Sequence, residues 1–242
     1  MKGRFAGVAL ALVAMLALTA CSRLSGKPAP GPEVPRPDSI LDPVVLFNQN
    51  CAGCHGADGR KGPAMALSDP VYLAIVDDET LRSTISRGRP GTAMSAFAQK
   101  EGGMLTDEQI NAIVRGIRER WSKPDALAGV SPPPYAARVA GSAQRGEAAY
   151  TTFCASCHGS GAAGGPKAGS ITDGAYLSLI SDQGLRTIVI TGRPDFDAPD
   201  WRGNVAGSPM TDQEITDVVA WLVSQRPTGA QTASSSPSGG VH

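Results

Sequence analysis

Apolar and polar positions fall into three textures along this chain. The first is one unbroken apolar run, Phe5 to Ala20, behind Lys2 and Arg4. The second occupies the middle of the chain, where apolar residues recur every three or four positions. Ile110, Ile113, Val114 and Ile117 share one helical face, and Ile215, Val218, Val219 and Leu222 share another. The third texture has no period. It covers 21–42, with Pro28, Pro30, Pro32, Pro35 and Pro37, and 227–242, rich in Ser, Gly and Pro. No stretch alternates as a strand would, so an all-α fold is expected.

Start signals agree with helices. Asp42-Pro43 supplies an N-cap and an N1 proline, and Ser142 offers a cap before a second such segment. Thr106-x-x-Gln109 and Thr211-x-x-Glu214 read as capping boxes ahead of the two periodic faces. Tyr72–Arg87 and Tyr176–Thr191 are each expected to hold one or two short helices.

These paired features follow from a duplication. Cys51-Ala52-Gly53-Cys54-His55 returns 103 residues later as Cys154-Ala155-Ser156-Cys157-His158. Tyr72–Pro90 matches Tyr176–Pro194 at an offset of 104, with eight of 19 positions identical, and Leu105–Ile110 matches Met210–Ile215 at 105. A period near a hundred residues means two tandem domains, since solenoid repeats are shorter. The boundaries expected are 1–20 as a leader, 21–42 as a Pro-rich tether, 43–121 as domain 1, 122–141 as a Pro-rich linker, 142–226 as domain 2 and 227–242 as a disordered tail.

Composition narrows the function. The 22 Lys+Arg balance the 22 Asp+Glu, and no basic run stands out, so nucleic acid is not expected as a partner. Five Phe, three Trp and four Tyr stand against 29 Gly and 19 Pro. Units of about 80 residues with so few aromatics are marginal on their own. The basic start, the apolar run and the small residues at its exit describe a secretory signal, shorter than a membrane span. Leu18-Thr19-Ala20-Cys21 resembles a bacterial lipobox, which implies lipidation at Cys21; an ordinary signal peptide or a short uncleaved anchor is the alternative. Removing 1–20 takes away Lys2 and Arg4 and leaves a mildly acidic chain. The tether, at about 3 Å per residue, reaches on the order of 60 Å from a membrane.

The chemistry lies in the two Cys-x-x-Cys-His segments. Two thiols spaced by two residues, with His next, suit thioether attachment of a haem and place an imidazole under its iron. A zinc site would have to pool ligands from two domains, and a redox dithiol would want a strand–helix setting that is missing. Two covalent haem c groups are therefore expected, on Cys51, Cys54 and His55 and on Cys154, Cys157 and His158. A large apolar macrocycle also supplies the core centre that each small unit lacks.

At this point each unit resembles a small class I cytochrome c domain, over Pro43–Trp121 and Ser142–Arg226. The likeness rests on the haem motif, an aromatic four residues before it (Phe47, Tyr150), a Gly-Pro turn (Gly62-Pro63, Gly165-Pro166), a Met-bearing loop and a C-terminal helix. It implies a helical domain wrapped around each haem, with the Pro63 and Pro166 carbonyls accepting from the proximal imidazoles and so fixing their tautomer. It also implies a thioether as sixth ligand. Met94, 39 residues beyond His55 in a small-residue loop, fits that role; Met65 is too near the turn, and Met104 is expected to pack beside a helix start.

The second half departs from this pattern. Through the shared Gly-Arg-Pro, the counterpart of Met94 is Ala198. Three outcomes stand open there: Met210 ligates through a rearranged loop, the iron is five-coordinate or water-bound, or another group such as His242 ligates.

The function expected is that of a lipid-anchored, exported dihaem cytochrome on the periplasmic side. As an electron carrier rather than an enzyme, it would pass electrons between respiratory partners, a quinol-oxidising complex or a terminal oxidase. The alternative is a peroxidase-like or small-molecule oxidoreductase using the Met-deficient haem. Asp195, Asp197 and Asp200 in that loop are its acid–base candidates and are expected to be solvated.

Overall fold

The structure is a computed structural model in which residues 31–227 are described. The leader, Cys21, the tail beyond Pro227 and His242 lie outside the described residues. The chain divides into two compact units, 1–37 and 38–242. In the first, residues 31–37 are exposed. Everything below concerns the second.

Its helices come in two matching sets. Domain 1 holds α1 (Pro43–Asn50), α2 (Ala52–His55), α3 (Pro70–Ile75), α4 (Asp78–Arg87) and α5 (Asp107–Trp121). Domain 2 holds α6 (Ala143–Phe153), α7 (Ala155–His158), α8 (Gly174–Leu179), α9 (Asp182–Thr191) and α10 (Asp212–Ser224). Among the described residues there is no strand, only two isolated bridges, Ala98 with Leu105 and Arg193 with Ala198.

Local chemistry explains where helices begin. Asp42 Oδ1 accepts the Val44 and Val45 N–H groups while Pro43 occupies N1, and both capping boxes are formed in full at Thr106/Gln109 and Thr211/Glu214. Asp69, Asp77, Asp173 and Ser181 cap the four short helices with their side chains. Each segment read as one or two helices is two, broken at Val76 and at Ile180, which are both extended. An arginine closes each break. Arg118 donates to the Leu73 and Val76 carbonyls and pairs with Asp78; Arg226 donates to the Leu177 and Ile180 carbonyls and pairs with Asp182.

Each domain has its own core. Leu46, Phe47, Tyr72, Leu73, Leu81, Ile85, Ile110, Ile113 and Ile117 build the first. Tyr150, Phe153, Leu177, Leu185, Ile190, Ile215, Val218 and Leu222 build the second. The α3 helix serves both: Tyr72 and Leu73 face inward, while Val71 and Ile75, four apart on another face, pack into the core of domain 2.

Three expectations need correction. Ile40 already packs on the first core and its carbonyl accepts from Gln109 Nε2, so the tether is held before residue 42. Met104 is 78% exposed instead of packing beside the helix start. The segment 122–141 is more than a spacer: Leu127 packs on the second core and Tyr135 on the first, and Arg186 donates to the Pro134 and Tyr135 carbonyls.

The first and last helices of each domain cross at a point with no room for a second side chain. A Cβ on Gly116 of α5 would stand 2.4 Å from Pro43 Cβ; one on Gly146 of α6 would stand 2.0 Å from the Asp217 carbonyl and 2.7 Å from Trp221 Cβ. Pro43 and Gly146 are repeat partners, as are Gly116 and Trp221, so the two halves place the small residue on opposite helices at one crossing. Gly146→Ala is expected to cost about 1–3 kcal/mol through forced separation of α6 and α10. Denaturant unfolding of the holoprotein checks this against Gly53→Ala, where an added Cβ meets nothing within 4 Å.

Candidate functional site

The two Cys-x-x-Cys-His segments take the same form. The first helix ends at a Cys, Cys51 or Cys154, whose carbonyl accepts the N–H groups of the second Cys and of the His, starting a one-turn helix. None of the four described cysteines is in a disulfide, and Cys51 and Cys154 lie half-buried against separate cores. Burial, reinforced by the neighbouring thiol, pushes Cys51 up to about 12 and Cys154 to about 11. Thiols so far from the thiolate form are poorly suited to disulfide exchange, which needs a thiolate.

Each imidazole is fixed by a backbone carbonyl. His55 Nδ1 lies 2.9 Å from the Met65 carbonyl and His158 Nδ1 lies 3.0 Å from that of Gly169. The acceptors expected were Pro63 and Pro166. The turn containing Pro63 is engaged elsewhere: Ala64 N–H donates to the Cys54 carbonyl, so the first carbonyl to reach the ring comes two residues past the proline. In domain 2 the turn is one residue longer, with Gly164 N–H on the His158 carbonyl and Gly165 N–H on that of Ala168. With Nδ1 as donor, Nε2 keeps a lone pair for a metal. Burial pushes the His55 imidazole below its ordinary value; the Met65 carbonyl opposes this and the nearby Arg193 guanidinium adds to it. A neutral ring is the form that ligates iron.

Half-buried apolar side chains gather beside the first motif's core: Met65, Leu67, Met94 and Phe97. Ile171, Val189 and Val205 do the same in domain 2. Paired cysteines, an imidazole fixed through Nδ1 with Nε2 open, and half-buried apolar neighbours together suit a covalent macrocycle that carries iron.

The loops beyond Gly88 and Gly192 are one structure twice. Both glycines have left-handed φ, +65° and +66°, and their Cα hydrogens point onto the following loop. A Cβ would meet the Met94 carbonyl oxygen at 2.5 Å in one and the Ala198 oxygen at 2.6 Å in the other. Arg89 N–H donates to the Met94 carbonyl and Arg193 N–H to that of Ala198. Met94 and Ala198 are therefore structural equivalents. Farther on, Leu105 N–H donates to Phe97 and Met210 N–H to Trp201, with Leu105 and Met210 both buried, at 4% and 3% exposure. Met210 thus fills the core place of Leu105, with Asn204 Nδ2 3.7 Å from its sulfur. The rearranged loop that would bring Met210 to the iron is not formed.

With this geometry in view, the comparisons are direct. The family described as cytochrome c oxidase, cbb3-type, subunit III matches residues 38–115 and 141–222, more than half of the chain. The chain belongs to this family. It is an all-α dihaem c-type cytochrome of electron transfer, carrying two covalent haem c groups.

The cytochrome is 33% identical over 134 residues to the cbb3-type cytochrome c oxidase subunit CcoP of Azospirillum sp. (strain B510), covering 51% of this chain and 40% of that one. It is 25% identical over 188 residues to subunit FixPc of Rhizobium leguminosarum bv. viciae, covering 73% and 59%. It is also 33% identical over 88 residues to cytochrome c55X of Stutzerimonas stutzeri, covering 36% and 70%. The chain thus spans about half the length of the oxidase subunits it matches. No helix among the described residues is long and apolar enough to cross a membrane.

Arg193 and Asp195 of the cytochrome make a contact between the domains that sequence reasoning did not assign to them. The Asp195 side chain is 3% exposed, paired with Arg193 at 2.8 Å, and its Oδ2 accepts the Lys61 N–H at 2.9 Å. Arg193 Nη2 also reaches the Gly62 carbonyl at 3.3 Å. The Met94-equivalent loop of domain 2 thereby grips the turn that follows the first haem motif. Asp195 and Asp200, expected to be solvated, are instead both paired, Asp200 with Arg202. The signal available was Arg193 itself, repeated from Arg89, which donates to the Tyr135 hydroxyl.

The Arg193 hydrogen bonds hold Asp195 down to about 2. A carboxyl depressed in the folded state stabilises above its unfolded value of 3.8 and loses that contribution as pH falls toward 2. Asp195→Asn is expected to lower stability at pH 7 and to flatten its decline between pH 5 and pH 2, measured as unfolding midpoints across that range.

Proposed function

We propose that this cytochrome is a lipid-anchored, periplasmic electron relay that serves a terminal oxidase. The observation that carries the reading is the contact of the two motif-bearing domains within one compact unit, through Arg193 and Asp195 on Lys61 and Gly62. Bound haem c supplies a one-electron iron couple at each motif. The protein's own residues do the rest. Cys51, Cys54, Cys154 and Cys157 hold the macrocycles through sulfur. His55 and His158 would ligate through Nε2, each ring kept in one tautomer by its carbonyl partner. Met94 would supply a thioether to the iron that His55 holds, a ligand that favours ferrous iron and raises the potential.

Fusing two centres in one compact unit limits how far apart they can move, which suits passage of single electrons from one to the other. The oxidase partner is supported by the likeness to cbb3-type oxidase subunits from Azospirillum and Rhizobium. Lipidation at Cys21 would hold the cytochrome at high local concentration near a membrane-bound partner.

Protein matured in a host that attaches haem c is expected to carry two haem masses, to cycle through one electron per haem, and to be oxidised by membranes containing a cbb3-type oxidase. Failure of such membranes to oxidise it, with other donors turning over normally, removes the oxidase from the reading. Met94→Ala should keep both haems, abolish the long-wavelength thioether band of the ferric protein and lower the first centre's potential; a band unchanged by the substitution removes Met94 as ligand. Cys21→Ser should move the protein from the membrane to the soluble periplasmic fraction.

A further inference from the structure

We infer that the second haem centre is a binding site for neutral diatomic ligands such as CO and NO, because the described residues of domain 2 place no further iron ligand where domain 1 has Met94. The inference rests on the reading above that Cys154, Cys157 and His158 hold a haem.

The position from which domain 1 offers Met94 is held in domain 2 by Ala198, and the backbone bonds that define it are the same: Arg89 N–H to the Met94 carbonyl, Arg193 N–H to that of Ala198. A methyl side chain has no donor for iron. The one methionine of domain 2, Met210, stands where Leu105 stands in domain 1, sealed in the core at 3% exposure. Met94, by contrast, is half-buried beside its motif, as a side chain facing a macrocycle should be. The nearest polar contact of the Met210 sulfur is Asn204 Nδ2. Among the described residues of domain 2 there is no histidine besides His158, and both cysteines are spent on attachment.

The same loop decides what class of ligand the site takes. Splitting a peroxide bond needs a free acid–base group on the distal side, and the carboxylates here are committed or turned outward. Asp195 is bound by Arg193 and the Lys61 N–H, Asp200 by Arg202 through both oxygens, and Asp197 is exposed at a left-handed turn. Ala198, Pro199 and the buried Trp201 offer no side-chain charge. Such surroundings suit a ligand that binds ferrous iron with its own lone pair and needs no proton. Coordination is then a simple addition, with no electron gained or lost by either partner.

The test uses the full-length holoprotein, with haem content measured first by the pyridine haemochrome. The dithionite-reduced protein is titrated with CO, and the ferric thioether band is recorded alongside. Wild type is expected to take up CO at about half of its haem and to show a band worth about one haem. Ala198→Met should abolish CO uptake and roughly double the band. Met210→Leu should change neither, since leucine already fills that place in domain 1. Two haems with no CO uptake overturn the inference, as does CO uptake that appears only in Met210→Leu or only in His242→Ala, which would mark those residues as sixth ligands. A preparation with one haem at Cys51 and Cys54 overturns the reading of two centres and the inference with it.

Discussion

Two helices that cross within van der Waals contact leave space for one side chain at the crossing, and both halves of this cytochrome obey that limit. Domain 1 places Pro43 against Gly116, and domain 2 places Gly146 against Trp221. The close approach sets the angle at which the helix leading into each Cys-x-x-Cys-His segment enters, and so where the two thiols and the imidazole stand relative to the core. Each crossing also carries an aromatic pair: Phe47 meets Trp121 edge-on at 5.1 Å, and Tyr150 stacks on Trp221 at 4.5 Å. The motif itself is short and local. Its orientation is inherited from the helices on either side of it.

Duplication conserved tasks more faithfully than residues. Arg118 and Arg226 clamp equivalent carbonyls, yet they lie 108 positions apart while α5 and α10 align at 105, so that Arg118 sits within its helix and Arg226 just past the end of its own. The arginine has moved one turn and its long side chain absorbs the difference. Arg89 and Arg193 do align, but one reaches Tyr135 in the linker and the other reaches Asp195 and the opposite domain. A flexible cation on a fixed backbone finds whichever acceptor its half provides.

This pattern explains what was legible in the sequence. Helix starts were readable because capping is a contact between residues two or three apart, as at Asp42, Thr106 and Thr211. The haem motif was readable for the same reason. The carbonyl partners of His55 and His158 were not, because every residue has a carbonyl and only the path of the turn selects Met65 and Gly169. The two faces of α3 could not be separated in a six-residue helix, where Val71 and Ile75 look like any apolar pair. Asp195 misled because an acidic loop residue is ordinarily hydrated, and nothing local reveals a backbone N–H from 134 positions away. Met104 misled in the opposite direction, an apolar residue left in water at a turn.

The differences between the halves are concentrated rather than scattered. Arg193 to Ala198 includes the arginine and carboxylate that hold domain 1, the short turn Pro194–Phe196, the left-handed Asp197, and the alanine in place of a thioether. In domain 1 the matching loop keeps Met94 and makes its bonds within itself, Thr92 Oγ1 to the Arg89 carbonyl and Met94 N–H to Thr92 Oγ1. One loop is therefore tied to itself, while its duplicate holds the neighbouring domain. A side chain at 198 long enough to ligate would have to share that rebuilt turn with the grip on Lys61 and Gly62. The core beneath is untouched by the change, because Met210 does there what Leu105 does in domain 1. Loss of the thioether side chain and gain of the interdomain contact thus belong to the same few residues, on a scaffold that tolerates both.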